Sequence, residues 1–161
     1  MGNVFPDDWT REALSGSADA IFSCDTLEKA NLLIHSRPTP ICLPNHIAGE
    51  PRWPSPVGTS FIDSYEPMTG ALLCRVPCSR PGDVDVAIRH ARAAFPGWSK
   101  TTRAERSRHL RRISELLQEH REVFAVWESI DQGKTLARAR IEVDRAITNF
   151  SYVNPRRFAA F

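Results

Sequence analysis

The sequence predicts a mostly α-helical fold with a β-hairpin ahead of its helices, and three observations predict it. From Val84 onward apolar residues recur at helical spacing, with Val84, Ile88, Ala91 and Phe95 on one face. Two extended runs, Ser60 to Tyr65 and Leu72 to Val76, flank the turn sequence Pro67-Met-Thr-Gly70, where Gly70 supplies backbone freedom. Upstream, the segment from Ser36 to Thr59 holds six of the chain's twelve prolines, and a residue without an N–H donor belongs in loops or at sheet edges.

Taken in order, residues 1–44 show no sustained periodicity and are expected to form a poorly ordered extension. The exception is a short helix around Asp25 to His35, where Leu27, Ala30 and Leu33 share a face. The hairpin is expected over about residues 60–77 and helices over about 81–152. Pro81 suits a first helical position, and Asp83 places an acid in the first turn where the helix dipole favours it. This helix is expected to stop near Pro96. Thr102 and Glu105 then form a T-x-x-E capping box, with Ala104, Leu110, Ile113 and Leu117 expected inward and Arg106, Arg108, Arg111 and Arg112 outward. Val123, Trp127 and Ile130 continue an apolar stripe on the same or a following helix, and a last helix carries Ile141, Ala146, Ile147 and Phe150.

Composition narrows the function classes. At 161 residues, with 42% hydrophobic and 25% charged residues, the chain can bury a core and has no bias towards disorder. A formal net charge of +2 argues against nucleic acid or an anionic membrane as partner. No apolar run approaches the roughly 18 residues that span a bilayer. The start, Met-Gly-Asn-Val-Phe-Pro-Asp-Asp, has acids where a secretory leader needs basic residues, so a cytoplasmic location is expected. Cys24, Cys42, Cys74 and Cys78 are then expected as reduced thiols.

Few motifs carry chemistry by themselves. Gly133-Lys134-Thr135 resembles the tail of a phosphate-binding loop, but the glycine such a loop needs five residues upstream is Glu128. Gly133 reads instead as a left-handed helix cap, with Lys134 complementing the helix's negative end. Cys74 and Cys78 lack the second Cys or His pair that a zinc site needs. The arginine-rich stretch from Thr102 to Leu117 is interleaved with Glu105 and Glu115, as a solvated helix face would be. Glu142 and Asp144 lie two apart on a helix, so their side chains diverge and form no acid/base dyad. Trp98 and Trp127 read as core or helix-junction residues.

Read together, six short motifs resemble the start of an aldehyde dehydrogenase. They are Asn45-His-Ile-Ala-Gly-Glu50, Asp63-Ser-Tyr-Glu-Pro67-Met-Thr-Gly70, Asp83-Val-Asp-Val-Ala87, Ala94-Phe95-Pro-Gly-Trp98, Glu105-Arg106 and Glu128-Ser-Ile-Asp131-Gln-Gly133-Lys134. They stand in the family's order at compatible spacing. The stretches Ile62-Asp-Ser-Tyr-Glu-Pro67 and Asp131-Gln-Gly-Lys-Thr-Leu-Ala-Arg-Ala-Arg140 are similar to the muconic semialdehyde branch.

The resemblance spans residues 45–153 and implies the truncated N-terminal part of the α/β aldehyde dehydrogenase fold, with 154–161 as a divergent tail. A complete member uses NAD(P)+, a cysteine nucleophile after Gly-Gln and a glutamate base, and thiolate attack precedes hydride transfer and thioester hydrolysis. None of those segments matches here. No catalytic or cofactor-binding residue is therefore assigned, no cofactor is expected for this span, and activity alone is not expected. The resemblance also implies part of a monovalent-cation site, formed by Asp131 with backbone oxygens of Ser64 and Tyr65. The alternative expectation is a small helical module that binds a full-length homologue or another protein through exposed apolar helix faces.

Overall fold

The computed structural model describes residues 20–21, 23–36, 40–53 and 60–151. Helix α1 is Leu27–His35; strands β1 to β5 are Ile41–Cys42, Asn45–Ile47, Glu50–Arg52, Phe61–Tyr65 and Leu72–Pro77. Four helices follow: α2 Pro81–Trp98, α3 Arg103–Glu119, α4 Arg121–Gln132 and α5 Leu136–Ser151. The fold is thus mostly helical with a few strands.

Part of the expected poorly ordered extension is core. Thr26 caps α1 by accepting the Lys29 N–H at 3.2 Å, and Ala30 and Ile34, one turn apart, are buried. Strand β1 runs parallel to β5, with Ile41 opposite Cys74, and both its residues are buried. The inward face of α1 is centred on Ala30 and Ile34, whereas Leu27 faces outward, because the helix must seat on the sheet through its i, i+4 pair. Residues 1–19 and 154–161 lie outside the described residues.

The expected hairpin is β4 and β5, antiparallel, with Gly70 at φ 71° in its turn. Asp63 and Arg75 are direct cross-strand partners, and Arg75 Nε donates to Asp63 Oδ1 at 2.7 Å. A second hairpin, β2 and β3, turns through Ala48 and Gly49 at φ 59° and 82°, the two positive values a tight two-residue hairpin turn requires.

Helix α2 runs through Pro96 instead of stopping there. Pro96 is two residues from the helix end, so its missing N–H forfeits only the bond to the Arg92 carbonyl, and Ser99 N–H still closes on the Phe95 carbonyl at 2.8 Å. Helix α3 has the expected capping box, with Thr102 N–H donating to Glu105 Oε2 at 2.6 Å. Its inward face, however, is centred on buried Ser107 and Ser114 with half-buried Leu110 and Leu117, while Ala104 and Ile113 are exposed. A hydroxyl is accepted there because Ser114 Oγ donates to the Ile147 carbonyl of α5 at 2.9 Å.

Helix α4 is central. Val126 and Ile130 join Ile41, Leu73, Ala30 and Ile34 in the main core, and Ala125 on another face meets Ala139 and Val143 of α5. The small side chains at that contact let α4 and α5 approach closely. They also decide which face of α5 turns inward, so Ile141 and Phe150, expected inward, stay exposed.

Candidate functional site

Of the residues singled out in the sequence, Asp131 stands near the end of α4, which reaches the β4–β5 turn, and Ser64 and Tyr65 stand on β4. Gly133 sits at φ 66°, and a Cβ added to it would lie 3.1 Å from Pro67 Cβ. Gly133 is thus both a left-handed cap and a close contact, and this contact brings the end of α4, with Asp131, onto the hairpin. Ser64 pairs across the strands with Cys74, and Tyr65 with Leu72 after a register shift between Ser64 and Tyr65. Tyr65 Oη donates to Asp63 Oδ2 at 3.3 Å, so its phenol is turned along its own strand.

Cys74 is the register partner of Ser64 and lines one pocket with Asp131. Burial first, and then the Asp131 carboxylate, push its thiol up, against a side-chain hydrogen bond with Ser64. Asp131 and Ser64 therefore border one thiol. Among the described residues no group of three His, Cys, Asp or Glu side chains could hold a metal ion.

Beside this junction opens a pocket of about 410 Å³. Leu43, Leu73, Phe124 and Trp127 give it apolar walls, and Glu128 and Asp131 add carboxylates. Trp127, predicted as a core or junction residue, is half-buried and fixed by its N–H, which donates to the Ile21 carbonyl at 3.1 Å. Trp98 is a junction residue, tilted against His109 with ring centroids 5.8 Å apart.

None of the buried thiols is poised as a nucleophile. Burial pushes Cys42 up to about 11 and also raises Cys24 and Cys74, which suppresses the thiolate that attacks a carbonyl. The paired acids behave as their spacing predicts. Glu142 receives Lys134 Nζ at 2.6 Å, while Asp144 receives Arg121 through Nε at 2.6 Å and Nη2 at 2.7 Å.

Lys134 does more than complement a helix end. It also donates to Glu128 at 2.6 Å and so ties α4 to α5, a role that its distance in sequence from both acids hid. Hydrogen bonds to Glu128 and Glu142 raise the Lys134 pKa, and the Lys134 hydrogen bond holds Glu142 below the ordinary carboxylate range. Arg121 does the same to Asp144.

The family model described as "Aldehyde dehydrogenase family" matches residues 53–156. The 2-aminomuconic semialdehyde dehydrogenase of Homo sapiens is 47% identical over 95 residues, covering 58% of this chain and 20% of that protein. Among solved structures, HpcC from Thermus thermophilus is 35% identical with a TM-score of 0.67, covering 78% of this chain and 23% of the other. Betaine aldehyde dehydrogenase from Staphylococcus aureus, solved with NAD+, is 28% identical with a TM-score of 0.66, covering 78% of this chain and 24% of the other. The chain thus spans about a fifth of the length of the curated relative it matches.

Proposed function

The chain belongs to the aldehyde dehydrogenase family, and from that membership we propose that it is the N-terminal part of an NAD(P)-dependent enzyme oxidising a muconic semialdehyde to the acid. The observation that carries the substrate class is the 47% identity to 2-aminomuconic semialdehyde dehydrogenase over 95 residues. In this reading the 161 residues act as scaffold and are inactive by themselves. None of their cysteines follows Gly-Gln, and burial raises the pKa of Cys24, Cys42 and Cys74. NAD(P) is the hydride acceptor of the complete enzyme, and this span contributes no cofactor contact.

Asp131, with backbone oxygens of Ser64 and Tyr65, forms part of a monovalent-cation site that steadies the junction of helix and hairpin. Its working place is the cytoplasm. Among the described residues no helix is long and apolar enough to cross a membrane.

The test is to assay the 161-residue chain beside a chimera in which it replaces the matching part of the human relative. The chimera should reduce NAD+ with the semialdehyde and the short chain should not. Turnover by the short chain would overturn the scaffold reading, and a chimera active only on other aldehydes would overturn the substrate class.

One observation favours a second reading, a helical module that binds a protein partner. Helix α2 has no buried residue, yet Val84, Ile88, Ala91 and Phe95 form an apolar stripe along it. Capture of a full-length homologue by the chain, lost on Phe95→Glu, is the expected outcome. Equal capture by the variant would remove α2 from that role.

A further inference from the structure

Residues 20–43 lie ahead of the stretch 53–156 that the family model matches, yet they join two other parts of the fold. Cys24, Ala30, Ile34 and Ile41 from this segment pack in one core with Leu73 of β5 and with Val126 and Ile130 of α4. Strand β1 bonds along the edge of β5 away from β4, where Leu43 N–H donates to the Arg75 carbonyl at 2.9 Å. Helix α1 packs against α4, and the Ile21 carbonyl accepts the Trp127 indole N–H at 3.1 Å across 106 residues of sequence. One end of the segment is thus fixed to α4 and the other to β5.

Its hold is narrow. Strand β1 contributes two residues and α1 nine, and one side-chain bond from Thr26 caps the helix. The helical layer is tied more heavily: Ser114 of α3 bonds to α5, and ion pairs at Arg121, Lys134 and Arg140 join α4 and its following turn to α5. The part with fewer anchors opens at a lower free energy than the whole.

We propose that residues 20–43 form a clasp, linking α4 to the edge of β5, that opens and closes as one unit while α3 and α5 stay folded. Ile21, Ile41 and Leu43 wall the pocket beside Trp127, so opening the clasp also dismantles that pocket. The proposal is independent of the enzymatic reading above.

The clasp carries its own reporters. Cys24 and Cys42 stand near its two ends at 3% and 4% exposure, whereas Cys78, just past β5, is exposed. Neither buried thiol can meet a reagent while the clasp is closed, and burial also raises both, which suppresses reaction from the closed form.

The experiment is alkylation of the 161-residue chain with iodoacetamide, read cysteine by cysteine by mass spectrometry, beside amide hydrogen exchange. Dividing the rate of each thiol in urea by its rate in the folded chain gives its protection. Cys78 should be unprotected, and Cys24 and Cys42 should share one protection factor, about tenfold or more below that of the slowest amides of α3 and α5. Trp127→Phe keeps the ring and removes the donor to Ile21, and should lower the protection of both thiols and of the Leu43 amide together, by about fivefold to tenfold. Thr26→Ala removes the α1 cap at an exposed position and should lower all three by about fivefold. In both variants the α3 and α5 amides should keep their wild-type exchange, and circular dichroism checks that they fold.

A common loss at Cys24, Cys42 and Leu43 with α3 and α5 unchanged supports the clasp, because Cys42 and Leu43 lie at β1 and neither substitution is there. A rise at Cys24 alone overturns it, since the two ends then move separately. So does equal loss in α3 and α5, which makes the opening global, or a wild type whose buried thiols react as fast as Cys78.

Discussion

Helices α2 and α4 are both amphipathic, yet α2 buries none of its residues while α4 buries five. The difference is in what surrounds them. Helix α4 presents Val126 and Ile130 to a sheet and to α1, and Ala125 to α5, so two faces find partners within the chain. Helix α2 has the longer stripe, but among the described elements its one ring contact is Trp98 against His109. Periodicity shows which face can be buried. Whether that face is buried depends on what the rest of the chain, or another chain, brings to it.

The sharpest way to break this comparison is to empty the α4 core. Val126 is the largest fully buried side chain among the described residues, and Val126→Ala should destabilise by about 2–3 kcal/mol, read as a lower midpoint in urea unfolding. Next comes the contact that fixes the end of α4. Gly133→Ala should cost about 1–2 kcal/mol, from the left-handed backbone and the 3.1 Å approach to Pro67, and a variant as stable as wild type would mean that the helix end is not held on the hairpin.

A smaller effect follows from pH. Lys134 holds Glu142, and Arg121 holds Asp144, below ordinary values of 4.5 and 3.8. Their contribution is complete above those values and fades as pH falls through the lower folded-state values. Thermal melts should therefore lose stability on acidification, and Glu142→Gln with Asp144→Asn should flatten that limb. All of these pairs join or flank α4 and α5, so α2 should not share in the loss. Smallest of all, Ile88→Ala at 44% exposure should change monomer stability by no more than about 0.5 kcal/mol. A cost comparable to that of Val126→Ala would mean that α2 packs against the chain after all.

How legible each feature was depended on how local its cause is. The Thr102 capping box, the Gly133 cap and the Gly70 turn were readable because each satisfies backbone groups within a few residues. The facing of α3 was not. Ser107 and Ser114 read as polar, and only the Ile147 carbonyl across the interface makes Ser114 a good inward residue. The core role of α1 and β1 was hidden for a similar reason: β1 is two residues long, and its parallel partner β5 is the last strand of the second hairpin. At the candidate site Asp131, Ser64 and Tyr65 were named through family resemblance, while the pairing of Ser64 with Cys74 and the pocket that Cys74 shares with Asp131 needed the folded chain.

The hairpin, the helix caps, the stripes on α2 and α4, and the family follow from the order of residues alone, because these rest on local backbone chemistry and on motif order. Tertiary structure decided which stripe is covered, which face of α3 and α5 turns inward, and that Lys134 joins two helices. Those outcomes depend on partners many residues away, and burial is a property of the pair of surfaces that meet, not of either one alone.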